Sequence, residues 1–365
     1  MIKLYLLATF LVPVSLYTAA QTVSLPLSPD NWDTIGVTPT RETFMGRECF
    51  HLSTGSIVAK NLTLLDGTFE ADISFPQERS FPGFAVRMQD RENFENFYLR
   101  PHQSGNPDAT QYTPVFNGMA SWQLYYGDGY SGAFTFKYNQ WHHIEIDLHG
   151  LQAEFSIDGV TVIKVKELLT GWKQGRVGII SDGADLRVAN VQYTVKQGSP
   201  PTPSPVSANG AGGLVTRWQV SNAVNRKLID GVYSINAELK KSLTWNGQTT
   251  ESSGTLNLAR FGRWTETTNL MVAKFTIESA STQLKAIAFG FSDYVSIYLN
   301  DKIVYSGADN FRSRDYRFLG TIGFFDKLYL PLNKGSNELW FAVSEDFGGW
   351  GVKAKFDNMD NISIR

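Results

Sequence analysis

The sequence predicts an all-β protein made of two β-sandwich, jelly-roll domains joined by a linker rich in proline and glycine. Short segments in which apolar and polar residues alternate recur from residue 23 to residue 195 and again after residue 214. Turns containing glycine, aspartate and asparagine separate these segments, a pattern that is typical of strands. Residues 166–172 have a helical pattern, but that segment is too short to change the fold class.

The first twenty residues have the pattern of a secretory signal peptide. Lys3 precedes an apolar run over residues 4–16, and the small residues Ala19 and Ala20 follow that run. We expect cleavage after Ala20 and a mature chain without a transmembrane helix that is secreted, periplasmic or held at the cell surface. Cys49 is the only cysteine, so no intrachain disulfide can form.

The length of 365 residues fits about two domains. We divide the chain into a signal peptide (1–20), a first domain (21–196), a linker (197–213) and a second domain (214–365). The linker reads QGSPPTPSPVSANGAGG. Its prolines favour an extended conformation, and we therefore expect a semi-rigid spacer that separates the two domains.

The charge balance excludes one class of partner. The chain has 33 lysine and arginine residues against 35 acidic residues, and its formal net charge is −2. Because there is no basic excess, nucleic acid is not an expected partner. The chain is also rich in aromatic residues, which make up 13% of it, and we expect a neutral or nearly neutral partner.

Residues 93–126 contain the predicted ligand-binding residues. In the strand that opens this stretch, alternation places Phe97 and Leu99 on one face and polar side chains on the other. A long polar insertion follows, and such loops in compact domains are commonly functional, although a surface loop packed by its own side chains has the same composition. The predicted ligand-binding residues are Asn96, Tyr98, Arg100, His102, Gln111, Tyr112, Asn117, Trp122 and Tyr125.

Four segments of the first domain follow one another in a recognisable order. They are PGFAVRMQDRENFENFYLRPHQSG (82–105), WHHIEIDLHGLQAEFSIDGV (141–160), GRVGIIS (175–181) and NVQYTV (190–195). Together they resemble the laminin-G-like branch of the concanavalin A-like lectin/glucanase superfamily. The resemblance implies a two-sheet jelly roll whose concave sheet commonly holds sugars, sometimes with calcium. Since that superfamily includes lectins, glucanases and adhesion modules, the fold does not choose among these functions.

The second domain contains YVSIYLNDKIVYSG (294–307), which reads as two strands around an Asn300-Asp301 turn. A second long segment, residues 311–351, follows it. This order resembles the galactose-binding-like jelly rolls that accompany many carbohydrate-active enzymes. Aromatic rings with arginine and aspartate at loop tips suit sugar recognition, although burial accounts for most tryptophans. Weaker ligand-binding candidates in this domain are Trp264, Arg312, Arg314, Asp315 and Trp350.

A catalytic alternative rests on the strand that contains Glu145 and Asp147. A similar strand with two or three carboxylates supplies the nucleophile and the acid/base of laminarinase-type glucanases, and a retaining mechanism needs two carboxyl groups about 5 Å apart. The last of those carboxylates is absent here, where His149 stands near its place. Glu95 and Asp108 are further carboxylates that such an enzyme would have at hand, but no complete pair can be named.

The histidines give no pattern for a transition metal, because adjacent histidines on a strand point to opposite faces. Calcium needs only oxygen ligands, and Asn106, Asp108 and Asp128 are candidates for it. No other cofactor is expected.

The leading hypothesis is a secreted, lectin-like, two-module protein that binds an oligosaccharide or polysaccharide by aromatic stacking and polar contacts. One alternative is a glycoside hydrolase acting on a glucan or disaccharide. Another is a non-catalytic adhesion or structural module of a surface assembly. The sequence favours a binding protein over an enzyme.

Overall fold

The computed structural model describes residues 21–198 and 211–365. The predicted signal peptide and linker positions 199–210 lie outside the described residues. The described chain consists of strands with a few short helical turns, which confirms the predicted all-β class. Within this part of the chain, no helix is long and apolar enough to span a membrane.

The first half forms two eight-stranded antiparallel sheets. Sheet A has the order β14-β13-β12-β6-β16-β4-β3, with β1 beside β16, and sheet B has the order β10-β9-β8-β7-β15-β5-β2, with β11 beside β9. The strands are β1 (Thr22–Ser24), β2 (Trp32–Ile35), β3 (Thr40–Phe44), β4 (Arg47–Leu52), β5 (Ser56–Leu64), β6 (Gly67–Ser74), β7 (Gly83–Asp90), β8 (Asn93–Leu99), β9 (Thr110–Phe116), β10 (Met119–Ala120), β11 (Ser131–Gly132), β12 (His142–His149), β13 (Gln152–Ile157), β14 (Val160–Val165), β15 (Gly175–Ile180) and β16 (Leu186–Val195), with a 3-10 turn at Pro101–Gln103.

Sheets A and B enclose the first hydrophobic core. The alternation in β12 buries Ile144, Ile146 and Leu148 while their neighbours face outward. Across the two sheets, the ring centroids of Phe69 and Phe84 lie 6.1 Å apart with their planes nearly perpendicular. Burial of such apolar side chains is the main stabilising force of this sandwich.

The helical pattern at residues 166–172 does not form a helix, so that prediction is wrong. Leu168 and Leu169 are both buried, and the chain turns at this point. The amide and the hydroxyl of Thr170 both donate hydrogen bonds to the carboxylate of buried Glu95, at 2.8 and 2.7 Å. These tertiary contacts hold the segment in a turn, because a helix this short has little stability of its own.

The second half forms a seven-stranded and a four-stranded sheet. Sheet C has the order β18-β17-β20-β25-β22-β23, with β27 beside β20, and sheet D has the order β19-β26-β21-β24. The elements are β17 (Arg217–Ser221), α1 (Ala237–Ser242), β18 (Trp245–Thr249), β19 (Leu256–Asn257), β20 (Leu270–Ser279), β21 (Gln283–Ser292), β22 (Tyr294–Leu299), β23 (Lys302–Ala308), β24 (Asp326–Leu332), β25 (Gly335–Ser344), β26 (Gly351–Phe356) and β27 (Ile362–Ile364), with 3-10 turns at Ala211–Gly213, Arg226–Leu228 and Leu258–Arg260.

The second core lies between sheets C and D. Phe275 of sheet C meets Phe356 of sheet D with ring centroids 6.2 Å apart. The predicted hairpin turn is confirmed, since β22 pairs with β23 around Asn300 and Asp301. Their φ angles of 48° and 71° are those of the tight turn that asparagine and aspartate tolerate best.

The polar insertion of the first half docks directly on the second half through Gln123, whose side chain is fully buried. Its Nε2 donates to the carbonyl of Leu319 at 2.9 Å, and its Oε1 accepts from the hydroxyl of Ser292 at 3.0 Å. Its main-chain amide donates to Gly348, and its carbonyl accepts from the amide of Ile322, both at 2.9 Å. We call this set of contacts the Gln123 clasp.

Further contacts extend the junction. The hydroxyl of Tyr125 donates to Glu251 at 2.6 Å, and Arg263 places one nitrogen 2.8 Å from both carboxylate oxygens of Glu92. The described strands of the two halves do not pair with each other, yet their loops interlock. The loops of the first half thus find polar partners in the second half, whereas the predicted linker stays a prediction because most of it lies outside the described residues.

Candidate functional site

The two faces of β8 differ as the sequence predicts. Phe97 and Leu99 are fully buried in the core between sheets A and B. Asn96, Tyr98 and Arg100 lie on the opposite face of sheet B, which points away from that core and which we call the outer face. The alternation is therefore confirmed, and it places three polar side chains side by side at one end of β8.

Four of the predicted residues, Tyr98, Arg100, Gln111 and Trp122, converge on this face. The hydroxyl of Tyr98 donates to Gln111 Oε1 at 2.8 Å, and Arg100 Nη2 donates to the Tyr98 oxygen at 2.7 Å. The Arg100 guanidinium lies 5.7 Å from the ring centroid of Trp122, and Gln111 Nε2 donates to the Trp122 carbonyl at 2.8 Å. We call these four residues the Tyr98 cluster.

The Tyr98 cluster is rigid and mostly enclosed. Tyr98 is 7% exposed and Gln111 is fully buried, whereas Trp122 is half-buried. Burial raises the pKa of Tyr98 to about 12, so its phenol stays protonated at neutral pH. The hydrogen bonds among Tyr98, Arg100 and Gln111 hold the Arg100 guanidinium over Trp122. The Trp122 ring and the polar atoms next to it are the part of the cluster that remains accessible to a ligand.

Buried polar atoms without a partner lie beside the cluster. Asn96 Oδ1, Thr113 Oγ1 and Ser121 Oγ have no hydrogen-bond partner among the described residues. Asn96 and Thr113 stand directly opposite each other on β8 and β9, so both side chains lie on the outer face. These atoms have almost no accessible surface, so they lie beneath the outer face and do not themselves meet a ligand bound on it.

His102 lies next to the cluster without joining its hydrogen bonds. Its ring packs edge-on against Phe81 at 5.3 Å, and Phe81 is 6.3 Å from the ring of Tyr98. Burial, with help from the charges of Arg79 and Arg100, lowers the pKa of His102, which is therefore neutral at pH 7. Its buried Nδ1 has no partner among the described residues.

The second half supplies one wall of the site. The ring of Phe311 meets Trp122 edge-on at 6.4 Å, and the ring of Phe347 does so at 5.9 Å. Both phenylalanines keep part of their surface exposed. The Gln123 clasp fixes this arrangement, because Gln123 directly follows Trp122 in the chain.

Tyr112, Asn117 and Tyr125 do not reach this surface. Tyr112 is buried in the core and donates to Glu95 at 2.6 Å. Asn117 donates to the carbonyl of Ala259 at 2.7 Å, and Tyr125 is buried against the second half. The internal contacts of these three residues explain why this part of the sequence is polar.

The carboxylates of the catalytic alternative are dispersed. Glu145 and Asp147 face outward from sheet A, on the far side of the sandwich from the Tyr98 cluster. Asp147 pairs with Lys196 at 2.7 Å, and Glu145 stands directly opposite Glu70. Glu95 is fully buried, and its pKa is raised by that burial. This arrangement supplies no acid and base across one cleft.

The three calcium candidates each contact a different residue and do not contact one another. Asp108 is 3.5 Å from Arg100, and the exposed Asp128 is 3.3 Å from Lys166. Asn106 donates to Gln103. Within residues 21–198 and 211–365, no group of three or more histidine, cysteine or acidic residues is arranged to hold a metal ion.

The candidates in the second half have mainly structural contacts. Trp350 is fully buried and donates to the Val343 carbonyl at 3.0 Å, and Trp264 donates to the Glu345 carbonyl at 2.8 Å. Arg314 forms ion pairs with Asp309 and Asp326, and Asp315 lies 3.5 Å from Arg317. Arg312 packs over the ring of Phe311 at 4.8 Å, and Phe311 in turn contacts Trp122 of the Tyr98 cluster.

Sequence reasoning missed Phe311 and Phe347 of the second half. Nothing in the sequence places the phenylalanines of the second half beside Trp122, since that contact depends on how the two halves dock.

No protein-family model matches the sequence, and no curated protein matches it either. Among solved structures, a carbohydrate-binding module CBM66 from Bacillus subtilis is 16% identical with a TM-score of 0.32, covering 45% of this chain and 91% of that one. A Bacillus licheniformis beta-glucanase is 11% identical with a TM-score of 0.34, covering 50% and 100% of the two chains.

A homodimeric agglutinin from chicken liver is 13% identical with a TM-score of 0.30, covering 38% of this chain and 98% of that one. At such low TM-scores these likenesses carry no argument about function, and the fold assignment rests on the sheets and cores described above. The laminin-G-like and galactose-binding-like branches stay predictions. The chain is accordingly placed among β-sandwich proteins and in no narrower family.

Proposed function

We propose that the protein binds a glycan on the outer face of sheet B, at the Tyr98 cluster. The observation that carries the proposal is the half-buried ring of Trp122, which the partly exposed rings of Phe311 and Phe347 meet edge-on at 6.4 and 5.9 Å. The exposed guanidinium of Arg312, which packs over Phe311, supplies hydrogen-bond donors for sugar hydroxyls. The apolar face of a sugar ring matches an aromatic ring.

The charge state of the site fits a binding role. Tyr98 stays protonated because burial raises its pKa to about 12, and His102 stays neutral because burial lowers its pKa. Neither group changes charge near pH 7, so glycan affinity is expected to be flat across neutral pH. The proposal includes export through the predicted signal peptide, and it needs no bound metal.

The test uses the matched variants Trp122→Ala and Trp141→Ala. Each removes a half-buried ring from the first half, but Trp141 packs against Phe44 and Arg47 of sheet A, away from the Tyr98 cluster. An array of oligosaccharides first identifies a bound glycan, and calorimetric titration then measures its affinity. We expect Trp122→Ala to weaken binding about three-fold to ten-fold, which is the effect of one stacked ring, and Trp141→Ala to leave it unchanged.

Thermal unfolding separates a binding effect from a folding effect. Because both variants remove a ring that is half-buried, they are expected to lower the melting temperature by similar amounts, and only Trp122→Ala is expected to change affinity. Equal glycan affinities for wild type, Trp122→Ala and Trp141→Ala would place the binding surface elsewhere. A purified protein that retains no oligosaccharide from the array would overturn the function itself.

A further inference from the structure

A groove of about 980 Å³ crosses the outer face of sheet B at the end opposite the Tyr98 cluster. It is lined by the outward side chains of β2, β5, β7 and β15 and by the segment 35–41. Its floor includes Ile35, Val58 and Met88. None of the predicted site residues lies in it.

The rim of the groove is basic, with four cationic side chains, Arg41, Lys60, Arg91 and Arg176, against two carboxylates, Asp33 and Asp90. This local excess does not appear in the net charge of −2. An ion pair joins Arg176 to Asp33. The remaining three cations therefore face a single remaining carboxylate.

Two of these cations are held in place by carbonyl groups. Lys60 Nζ donates to the Pro29 carbonyl at 2.8 Å, and Arg41 Nη2 donates to the Leu27 carbonyl at 2.7 Å. A carbonyl orients a cation without neutralising its charge. The rest of the Arg41 guanidinium stays free to donate, and planar guanidinium groups match carboxylate and sulfate oxygens well.

A cluster of mostly buried apolar side chains lies in sheet B between the groove and the Tyr98 cluster. Ile35, Val58 and Met88 belong to the same hydrophobic cluster as Val115 and Ala120. Val115 is two residues from Thr113, and Ala120 immediately precedes Ser121. Since Gly83 pairs with Tyr98 and Met88 lies five residues further along β7, the two ends are roughly 17 Å apart along the strand direction. A polymer, rather than a single sugar, reaches both.

We infer that the basic groove binds the acidic sugars of an anionic polysaccharide, one that carries uronate or sulfate groups. The inference rests on the proposed function, because the polymer that fills the groove continues across the outer face of sheet B to the Tyr98 cluster. Arg41, Lys60 and Arg91 attract its charged groups, and the partly exposed Ile35 contacts the apolar face of a ring.

The test compares acidic and neutral forms of one backbone. Oligogalacturonate and its fully methyl-esterified form carry the same sugars with and without charge, and chondroitin sulfate oligosaccharides add a sulfated arm. Calorimetric titration of the full chain at low and high salt is expected to show tighter binding of at least one acidic oligosaccharide than of the ester. That preference is expected to fall with salt.

The double variant Lys60→Gln/Arg91→Gln is expected to weaken acidic binding about ten-fold and to leave binding of the ester unchanged. Both side chains are exposed, so the variant is expected to fold. The matched control Lys164→Gln removes an exposed cation from sheet A.

Equal affinities for all charged and neutral oligosaccharides, or an unchanged acidic preference in the double variant, would overturn the inference. Competition by single-stranded DNA that exceeds every saccharide would overturn it in favour of nucleic acid. If Trp122→Ala weakens binding and the double variant does not, the groove assignment fails while the proposed function stands. If only the double variant weakens acidic binding, the groove stands and the Tyr98 site fails.

Discussion

Replacing Glu251 by glutamine is expected to flatten the fall in stability that the protein undergoes between pH 5 and pH 8. Glu251 is buried where the two halves meet, and Tyr125 donates to its Oε1 at 2.6 Å. Its other oxygen, Oε2, has no partner among the described residues. Burial raises the pKa of Glu251 from about 4.5 to about 7.

The sign follows from proton linkage. The folded protein holds this proton more tightly than the unfolded chain does, so the stabilisation is complete below pH 4.5 and is lost as the pH rises through about 7. The difference between the two pKa values of Glu251 corresponds to about 3 kcal/mol, or about 4 °C in melting temperature for a chain of this size. Glutamine at position 251 keeps an acceptor for Tyr125 and carries no charge.

Scanning calorimetry at half-unit steps from pH 5 to pH 8 measures the effect. Wild type is expected to melt lower at pH 8 than at pH 5, and Glu251→Gln is expected to lose less. Some slope remains in the variant, because burial also raises the pKa of Asp293 to about 6 and that of Glu345 well above its usual range. The control Glu266→Gln changes an exposed glutamate and is expected to follow wild type. Parallel curves for wild type and Glu251→Gln would refute the reasoning.

Two further predictions concern the junction. Gln123→Ala removes the side-chain half of the Gln123 clasp and takes away the hydrogen-bond partner of the Ser292 hydroxyl and of the Leu319 carbonyl. It is expected to lower the free energy of unfolding by about 2–4 kcal/mol and to split one calorimetric transition into two. A single unshifted transition would contradict this expectation. Phe347→Ala removes the ring beside Trp122 and is expected to lower glycan affinity about two-fold to ten-fold with little change in melting temperature. The control Tyr316→Ala changes a residue that is 77% exposed and is expected to leave glycan affinity unchanged. Equal affinities for both variants would argue against a wall from the second half.

Strand alternation is the pattern that made most of the fold predictable from the sequence. The same period that places Phe97 and Leu99 in the core places Tyr98 and Arg100 on the opposite face, and an asparagine-aspartate pair is enough to fix the turn between β22 and β23. These are local properties, set by neighbours within a few residues.

The site depends on contacts that no local pattern encodes. Gln123 and Leu319 are 196 positions apart, yet their hydrogen bond helps to decide what lies beside Trp122. A buried polar residue and a ligand-binding residue also look alike in a sequence. Tyr125 was predicted to meet a ligand, and its hydroxyl instead meets Glu251, because long-range docking determines which polar side chains stay exposed.

The interlocked loops also bear on avidity, the gain in apparent affinity when linked modules bind the same repetitive polymer. Two modules on a flexible tether raise each other's local concentration, so that the second contact becomes easy once the first has formed. Here the clasp at Gln123 removes that independent search, because neither half can swing to find its own place on the chain. Under the proposed function, multivalent attachment to a glycan polymer then requires several copies of the protein along one strand.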